Sequence, residues 1–242
     1  MKKNKTFALL IGKKNSTGFP GKNTMNINGQ PSCEYGFQVA KKLQLEKIFV
    51  STDCPTITKI GAKYGAKLIE RPSSLATADS LTEDVLVHAY NKMIEISGEK
   101  PELVLLLFAN NPAINIHLVK KGIQKLIEEN SYDSAFSVCK YNMFSPARAR
   151  KLSNETIQPF VPLELLDNVS SIRSSQGDVY FCDLSVQVIR GTVFEKINTG
   201  MQPFQWMGKK SYPLINDYGF DIDEEWQKVA IELWLKTNWK YD

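Results

Sequence analysis

The sequence has few of the residues that build metal clusters or disulfide frameworks. It contains two histidines and four cysteines in 242 residues. Structural zinc sites need cysteine or histidine ligands at close spacing, and these cysteines are far apart and form no CxxC pair. We therefore expect four reduced thiols and no zinc site. The cysteines are Cys33, Cys54, Cys139 and Cys182.

Long apolar runs and a strong excess of one charge are also lacking. The first apolar stretch, Phe7–Ile11, ends at a glycine, whereas a signal peptide needs a longer run and a membrane span needs about 20 apolar residues. Thirty basic and 26 acidic residues give a net charge of only +4, without the basic face of a nucleic-acid-binding protein. We expect a cytoplasmic protein with no membrane and no nucleic-acid partner.

Short apolar runs alternate with segments of helical periodicity along the first half of the chain, which predicts an α/β fold with a mostly parallel sheet covered on both faces. The predicted strands are Phe7–Ile11, Lys47–Ser51, Lys67–Glu70, Glu102–Phe108, Ser134–Val138 and Asp178–Phe181. The predicted helices are Cys33–Leu43, Thr56–Tyr64, Leu81–Ile96, His117–Asn130 and Glu224–Leu235.

No repeat or low-complexity linker divides the chain, so we predict a single domain over residues 1–242. The periodic pattern weakens between residues 141 and 173, where proline, asparagine and arginine interrupt short apolar pieces. This segment is predicted to be an insertion or a dimerisation arm.

The loop after the first strand combines glycine and lysine. Gly12, Gly18 and Gly21 allow backbone N–H groups to approach an anion, and Lys13, Lys14 and Lys22 supply positive charge. The first strand-to-helix turn is a common phosphate site in α/β sheets. The spacing fits neither the G-x-G-x-x-G nor the P-loop pattern, and a solvated lysine-rich loop is the structural alternative.

Five blocks, from about residue 7 to about residue 235, resemble the acylneuraminate cytidylyltransferases (CMP-sialic acid synthetases) in the same order along the chain. The first block matches the family's A-R-x-x-S-K-G-x-P-x-K-N loop, with Lys13 in place of arginine and Thr17 in place of lysine. The matching stretches are Lys13 to Asn23, Val50 to Asp53, Arg71-Pro72 with Leu75-Ala76 and Thr82, Gly177 to Tyr180, and Phe220 to Glu224.

The resemblance implies a three-layer, Rossmann-like sheet of the nucleotide-diphospho-sugar transferase type, and nucleotidyl transfer from CTP to a 2-keto-3-deoxy sugar acid with release of pyrophosphate. By the resemblance, Lys13 and Lys22 act in catalysis and hold the triphosphate. Further nucleotide contacts are expected from Lys14, Ser16, Gly18, Asn23, Arg71 and Thr82. We expect Lys14 to compensate for the charge that Thr17 lacks.

Two acidic residues, Asp221 and Asp223, flank Ile222 near the end of the chain. In an extended segment, residues two apart point to the same side, so both carboxylates can reach one cation. Oxygen ligands together with substrate phosphates suit Mg²⁺, and the resemblance implies that these two residues bind it. A turn with acidic residues before a helix is the alternative, since acidic side chains favour helix N-termini.

The acceptor is less closely specified by the sequence. The family's usual Q-P-T-S-P reads Phe108-Ala109-Asn110-Asn111-Pro112 here, which is nearer to the pseudaminate cytidylyltransferases, as is Trp226. Asn110, Arg173 and Gln176 are the candidate contacts to the sugar acid, and Arg148 and Arg150 are further candidates for its carboxylate. The resemblance also implies a homodimer, in which the arm of one copy reaches the site of the other.

Two other readings of the sequence remain. The chain could be a nucleotidyltransferase that uses a sugar 1-phosphate and another nucleoside triphosphate, because the larger fold group shares a glycine- and lysine-rich first loop. It could also be a non-catalytic relative that binds nucleotide, because Lys13, Thr17 and Phe108 depart from the family pattern.

Overall fold

The computed structural model describes residues 5–15, 18–45, 47–166 and 169–239. Its strands, in chain order, are β1 (Thr6–Ile11), β2 (Asn26–Ile27), β3 (Gln30–Pro31), β4 (Ile48–Thr52), β5 (Lys67–Glu70), β6 (Leu103–Phe108), β7 (Ser134–Lys140), β8 (Arg150–Ser153), β9 (Thr156–Pro159), β10 (Tyr180–Arg190) and β11 (Ser211–Asn216). Its α-helices are α1 (Ser32–Lys42), α2 (Pro55–Lys63), α3 (Thr82–Ser97), α4 (Ile116–Glu128), α5 (Gly191–Phe194) and α6 (Glu225–Asn238).

Seven strands form the central sheet in the order β11-β7-β10-β6-β1-β4-β5. Strand β10 runs antiparallel to both of its neighbours, β6 and β7, and the other pairs are parallel. The predicted α/β fold with a mostly parallel sheet is therefore confirmed. The carboxyl ends of β1, β4 and β6 meet at one edge, where open α/β sheets bind ligands.

Alternate side chains of β1 and β6 pack on opposite faces of the central sheet, in two separate apolar cores. Ala8 and Leu10 of β1 pack with α1, α2 and α4 on one face of the sheet. Phe7 and Leu9 pack with α3 and α5 on the other. Because both faces are covered, the buried positions of β1 and β6 favour apolar residues, which explains the uninterrupted hydrophobic stretches Phe7–Ile11 and Leu103–Phe108.

The structure extends the prediction for two strands. The segment predicted as Asp178–Phe181 becomes the eleven-residue β10, and β11 has no counterpart among the predicted strands. Strand β11 reads Ser-Tyr-Pro-Leu-Ile-Asn and lies at the edge of the sheet. Its proline conceals a strand in the sequence, but proline is tolerated at a sheet edge, where one side of the ladder is unpaired.

The predicted arm is a separate feature of the fold. Strands β8 and β9 form a two-stranded antiparallel sheet of their own, apart from the central sheet. A 3₁₀ turn, Arg173–Gln176, follows before the chain enters β10. Across the described ranges, no helix has the length and apolar character needed to cross a bilayer.

Candidate active site

A cleft of about 630 Å³ lies at the carboxyl ends of β1 and β6. It is bounded by the loop after β1, by the segment between β5 and α3, by the end of β6, and by the acidic segment that we define as residues 216–223. Its lining residues are Ile11, Gly12, Lys13, Gly18, Lys22, Asn23, Arg71, Leu75, Thr77, Ser80, Thr82, Val85, Phe108, Asn110, Asp221, Asp223 and Glu224.

The loop after β1 is held in shape by its own backbone and by neighbouring side chains. A Cβ at Gly12 would lie 2.5 Å from the Cβ of Ala109, so only glycine allows β1 to pass the end of β6 so closely. The Asn23 side chain donates to the carbonyl oxygen of Lys13 at 2.7 Å, and the Lys14 backbone N–H donates to Asp53 at 2.7 Å. Asn23 and Asp53 thus fix the backbone of this loop.

Two of the three predicted lysines enter the cleft. Lys13 and Lys22 line it together with Gly18, and the Lys13 ammonium lies 3.4 Å from the carbonyl oxygen of Thr77. Lys14 is exposed and does not line the cleft. Ser16 and Thr17 lie outside the described residues.

Asp221 and Asp223 point to the same side of the chain and Ile222 to the other, as their spacing predicts. Ile222 is fully buried in a third apolar cluster with Ile27, Tyr35 and Ile231, and its backbone N–H donates to the carbonyl oxygen of Asn110 at 2.9 Å. With Ile222 anchored in the core, the side chains on either side of it, Asp221 and Asp223, both line the cleft. Helix α6 begins directly afterwards with a capping box formed by Glu224 and Gln227.

Each acidic side chain has a different electrostatic environment. Asp223 forms an ion pair with Lys22. Burial raises the pKa of Asp221, and the charge of Asp223 raises it further, although Lys22 and the Asn110 hydrogen bond act in the opposite direction. The Asn110 amide lies 3.3 Å from the Asp221 carboxylate, so Asn110 contacts an acidic residue of the protein itself.

The two carboxylates fit the chemistry of a magnesium ion that is shared with substrate phosphates. Within the described ranges, no three acidic, histidine or cysteine side chains form a group that could hold a metal by themselves. Mg²⁺ commonly binds through one or two carboxylates, with water and substrate phosphates completing its shell. A cation would also relieve the like-charge repulsion that raises the pKa of Asp221.

Arg71 lines the cleft with a partly buried guanidinium. One terminal nitrogen of its guanidinium donates to the carbonyl oxygen of Ser51 at 2.8 Å, while its Nε is buried and has no hydrogen-bond partner among the described atoms. Burial lowers the pKa of Arg71, and nearby Asp53 partly offsets this effect. Because this Nε is buried, a ligand in the cleft would contact the terminal nitrogens of the guanidinium instead. Thr82, the first residue of α3, also lines the cleft.

An aromatic pocket of about 240 Å³ adjoins the cleft and shares Asp221 with it. Five aromatic side chains surround it, and Tyr141 stacks on Phe220 with ring centroids 5.1 Å apart. The aromatic lining residues are Tyr141, Phe144, Phe181, Phe220 and Trp226. Of these five, only Phe220 and Trp226 carry a signal from the family resemblance. Phe181 is predicted only as part of a strand, and Tyr141 and Phe144 lie in the arm and carry no periodic signal.

The predicted arginine and glutamine contacts lie elsewhere. Arg173 and Gln176 lie in the 3₁₀ turn at the end of the arm and line neither the cleft nor the aromatic pocket of their own chain. Gln176 accepts a hydrogen bond from Arg148 at 2.9 Å, and Arg150 donates to the carbonyl oxygens of Ala147 and Ala149. Of the predicted acceptor contacts, only Asn110 lies in the cleft.

The known proteins that this chain resembles in sequence are cytidylyltransferases. The family model described as "Cytidylyltransferase" matches residues 11–156, which include the loop after β1 and the end of β6. N-acylneuraminate cytidylyltransferase of Oncorhynchus mykiss is 24% identical over 221 residues, covering 89% of this chain and 47% of that protein. A 3-deoxy-manno-octulosonate cytidylyltransferase of Bdellovibrio bacteriovorus is 31% identical over 88 residues, 36% of each chain.

Solved structures share the fold. The structure of CMP:2-keto-3-deoxy-manno-octonic acid synthetase complexed with CTP aligns with a TM-score of 0.67 at 14% identity, over 97% of this chain and 99% of that one. A 4-diphosphocytidyl-2C-methyl-D-erythritol synthase aligns with a TM-score of 0.66 at 11% identity, over 96% and 99%. The predicted Rossmann-like fold is thereby confirmed. The chain spans about half the length of the Oncorhynchus mykiss relative.

Proposed function

Because this chain belongs to the cytidylyltransferase family, we propose that it transfers a cytidylyl group from CTP to a 2-keto-3-deoxy sugar acid of the nonulosonic type. In this reaction the anomeric hydroxyl oxygen of the sugar bonds to the α-phosphorus of CTP as the hydroxyl loses its proton. The bond from the α-phosphorus to the oxygen bridging to the β-phosphate breaks, and pyrophosphate leaves. The products are a CMP-sugar and pyrophosphate.

One observation carries the proposal: two lysines from the N-terminal loop and two aspartates from the acidic segment line the same cleft. Lys13 and Lys22 would neutralise and orient the triphosphate, which is most of what phosphoryl-transfer catalysis requires. Asp221 and Asp223 are the residues that would hold Mg²⁺, and the ion would offset negative charge on the phosphoryl oxygens. Arg71 and Thr82, with Gly18 of the loop, would contact the rest of the nucleotide.

The aromatic pocket supports a place for the acceptor beside the nucleotide. It shares Asp221 with the cleft, so a sugar in this pocket would lie next to the residues proposed to hold the metal and phosphates. Aromatic rings pack well against the apolar C–H face of a sugar ring. Asn110 lines the cleft beside Asp221, the residue that the cleft and the pocket share. We propose that Asn110 contacts the acceptor while it keeps its contact with Asp221.

We further propose a homodimer that forms through the arm. The arm exposes several large apolar side chains, including Leu152 and Ile157, which are 85% and 70% exposed. Exposed apolar residues concentrated in one segment are typical of an interaction surface. In such a dimer the arm of one copy would reach the site of the other, as the family resemblance implies, and would bring Arg173 and Gln176 towards it.

The proposal is tested by measuring pyrophosphate release with each of the four nucleoside triphosphates, Mg²⁺ and a panel of 2-keto-3-deoxy sugar acids. We expect release only with CTP and an acceptor, and loss of release in Asp221→Ala. Release from a sugar 1-phosphate with another triphosphate would instead favour the alternative transferase. Calorimetric binding of CTP without release from any acceptor would favour a non-catalytic relative.

A further inference from the structure

A buried carboxylate, Asp183, lies behind the acidic segment; it also lines the aromatic pocket, but the proposed function gives it no role. It is only 6% exposed and sits where the pairing register of β10 shifts between Cys182 and Gln187. Leu184, the next residue, has a φ of +57°, a conformation that non-glycine residues rarely adopt. This irregular strand turns Asp183 into the protein interior.

Both oxygens of Asp183 are surrounded by hydrogen-bond donors. One oxygen accepts from the Ser137 hydroxyl at 2.5 Å and from the backbone N–H and hydroxyl of Ser185 at 2.8 and 2.6 Å. The other accepts from the Cys139 thiol at 3.1 Å and the Asn216 amide at 3.2 Å. In the described part of the chain, no basic side chain forms an ion pair with it.

Two contacts, the hydrogen bond from Asn216 and the packing of Gly219, connect Asp183 to the acidic segment. Asn216 is the last residue of β11 and the first residue of that segment. Gly219 packs directly on the carboxylate, because a Cβ on this glycine would lie 2.5 Å from the Asp183 Cγ. The backbone of residue 219 therefore rests on Asp183, two residues before Asp221.

The residues after β6 connect the same two regions. Asn111 donates to the carbonyl oxygen of Asp183 at 3.1 Å, and the carbonyl oxygen of Asn110 accepts from the backbone of Ile222. Adjacent asparagines thus hold Asp183 on one side and the acidic pair on the other. The acidic segment is supported from its first residue to Ile222.

We propose that Asp183 is a positioning residue, which holds the acidic segment so that Asp221 and Asp223 face the cleft. Burying an ionised carboxylate is unfavourable unless donors surround it, and this carboxylate is the point on which strand β11, Gly219 and the end of β6 converge. The structural part of the inference stands without the proposed function, and only its kinetic consequence rests on that function.

The first test is hydrogen exchange of the ligand-free protein, measured peptide by peptide in Asp183→Asn. The asparagine side chain has nearly the same volume as aspartate, but its NH₂ group replaces one of the two accepting oxygens. On either side of the carboxylate, this NH₂ group would face hydrogen-bond donors, so the donors on that side would lose their acceptor. We expect exchange in residues 217–226 to accelerate about tenfold or more. Unchanged exchange in this peptide would overturn the proposal.

Asp133→Asn is the matched control. Asp133 accepts from the backbone N–H groups of Lys209 and Lys210. A Cβ on Gly208 would lie 2.5 Å from the Cβ of Asp133. It supports a glycine backbone in the same way, but it precedes β7, at the end of the sheet away from the cleft. Its replacement should accelerate exchange near residues 208–211 and leave residues 217–226 unchanged. Equal acceleration of 217–226 in both variants would count against a specific role for Asp183.

The second test is the rate of CTP-dependent pyrophosphate release below the unfolding temperature of each variant. We expect kcat of Asp183→Asn to fall about tenfold or more with an unchanged KM for CTP, and kcat of Asp133→Asn to equal that of the wild type. If the wild type releases no pyrophosphate from any acceptor, the proposed function fails while hydrogen exchange still decides the positioning role.

A milder variant covers the case in which Asp183→Asn does not fold. Cys139→Ala removes one donor from Asp183 and leaves the other four. It should accelerate exchange in residues 217–226 by a smaller factor than the asparagine variant is expected to give. If Asp183→Asn does not fold, wild-type exchange rates in residues 217–226 of Cys139→Ala would overturn the proposal.

Discussion

The side chains of Lys22 and Asp223, which are 201 residues apart in sequence, form an ion pair at the cleft. The lysine is the more protected partner, with 17% of its side chain exposed against 52% for the aspartate. The pair joins the N-terminal loop to the acidic segment. Because a metal-bound triphosphate carries both negative oxygens for the lysine and a cation for the aspartate, it can replace each partner of this pair.

Replacement of Lys22 tests the triphosphate contact. We expect Lys22→Met to lower kcat/KM for CTP by roughly 10²–10³-fold, which is typical for the loss of one charge-stabilising group. The free energy of unfolding should change by no more than about 1 kcal/mol, because a partly exposed ion pair contributes little to stability. Lys92→Met is the control, since Lys92 forms an exposed pair with Glu95 on α3. Equal activity in the two variants would contradict the assignment.

Replacement of Arg71 tests recognition of the nucleotide. Lysine retains the charge but lacks the planar group with several donors, so we expect Arg71→Lys to weaken CTP binding by about 10- to 100-fold, the range for one hydrogen bond to a charged group. Calorimetry measures this directly. The control is Arg190→Lys, because Arg190 also donates to backbone carbonyl oxygens, among them that of Tyr132 at 2.7 Å, but does not line the cleft. CTP affinity that falls in the control and not in Arg71→Lys would refute the assignment.

The raised pKa of Asp221 predicts how stability depends on pH. Burial and the Asp223 charge keep this pKa above its ordinary value, so between the two values the folded protein binds more protons than the unfolded chain does. Stability therefore falls as the pH rises through this window, and the loss is complete above the raised pKa. Asp221→Asn should have a higher Tm than the wild type near pH 7.5, and the difference should shrink as the pH falls towards about 4.

Asp178→Asn serves as the control for this pH dependence. A hydrogen bond from Lys140 lowers the pKa of Asp178, and one from Asn142 lowers it further. Its ionised form is therefore favoured in the folded protein, and its replacement should lower or leave unchanged the Tm at neutral pH. A Tm gain in Asp178→Asn with none in Asp221→Asn would show that the electrostatic argument is wrong.

The arm provides a test of the dimer. Leu152 and Ile157 are cross-strand neighbours on one face of the β8–β9 hairpin, and Lys151 and Gln158 are neighbours on the other. We expect Ile157→Asp to convert a dimer into a monomer in light scattering, because a buried unpaired charge in an apolar interface is strongly unfavourable. Gln158→Asp should remain dimeric. A wild-type protein that is monomeric at micromolar concentration would refute the dimer.

The sequence predicted the central part of the fold because the signals there are local. Phe7–Ile11 and Leu103–Phe108 are apolar at every position, and that pattern arises when both faces of a strand are covered. The glycines and lysines of the first loop, and the alternation of Asp221, Ile222 and Asp223, also follow from chemistry within a few residues.

Other features depend on partners that are remote in the chain. Strand β11 becomes recognisable only through its pairing with β7. Strand β10 owes its length to its pairing with both β6 and β7, and its register shift lies in the ladder with β7. The contact of Asn110 with Asp221 and the donors around Asp183 involve segments separated by tens of residues or more. No periodicity marks such contacts, because they are set by how the layers pack and not by neighbouring residues.

The sequence by itself determined which groups this protein has available: a lysine-rich, glycine-containing loop, a pair of carboxylates held apart by an apolar residue, and a sheet able to carry both. The tertiary structure alone decided that Lys22 meets Asp223, that aromatic side chains of the arm adjoin Asp221, and that a buried carboxylate supports the acidic segment. The physical reason is that backbone preference and hydrophobic periodicity act over a few residues, whereas close packing brings together side chains that the sequence separates by as many as 201 positions.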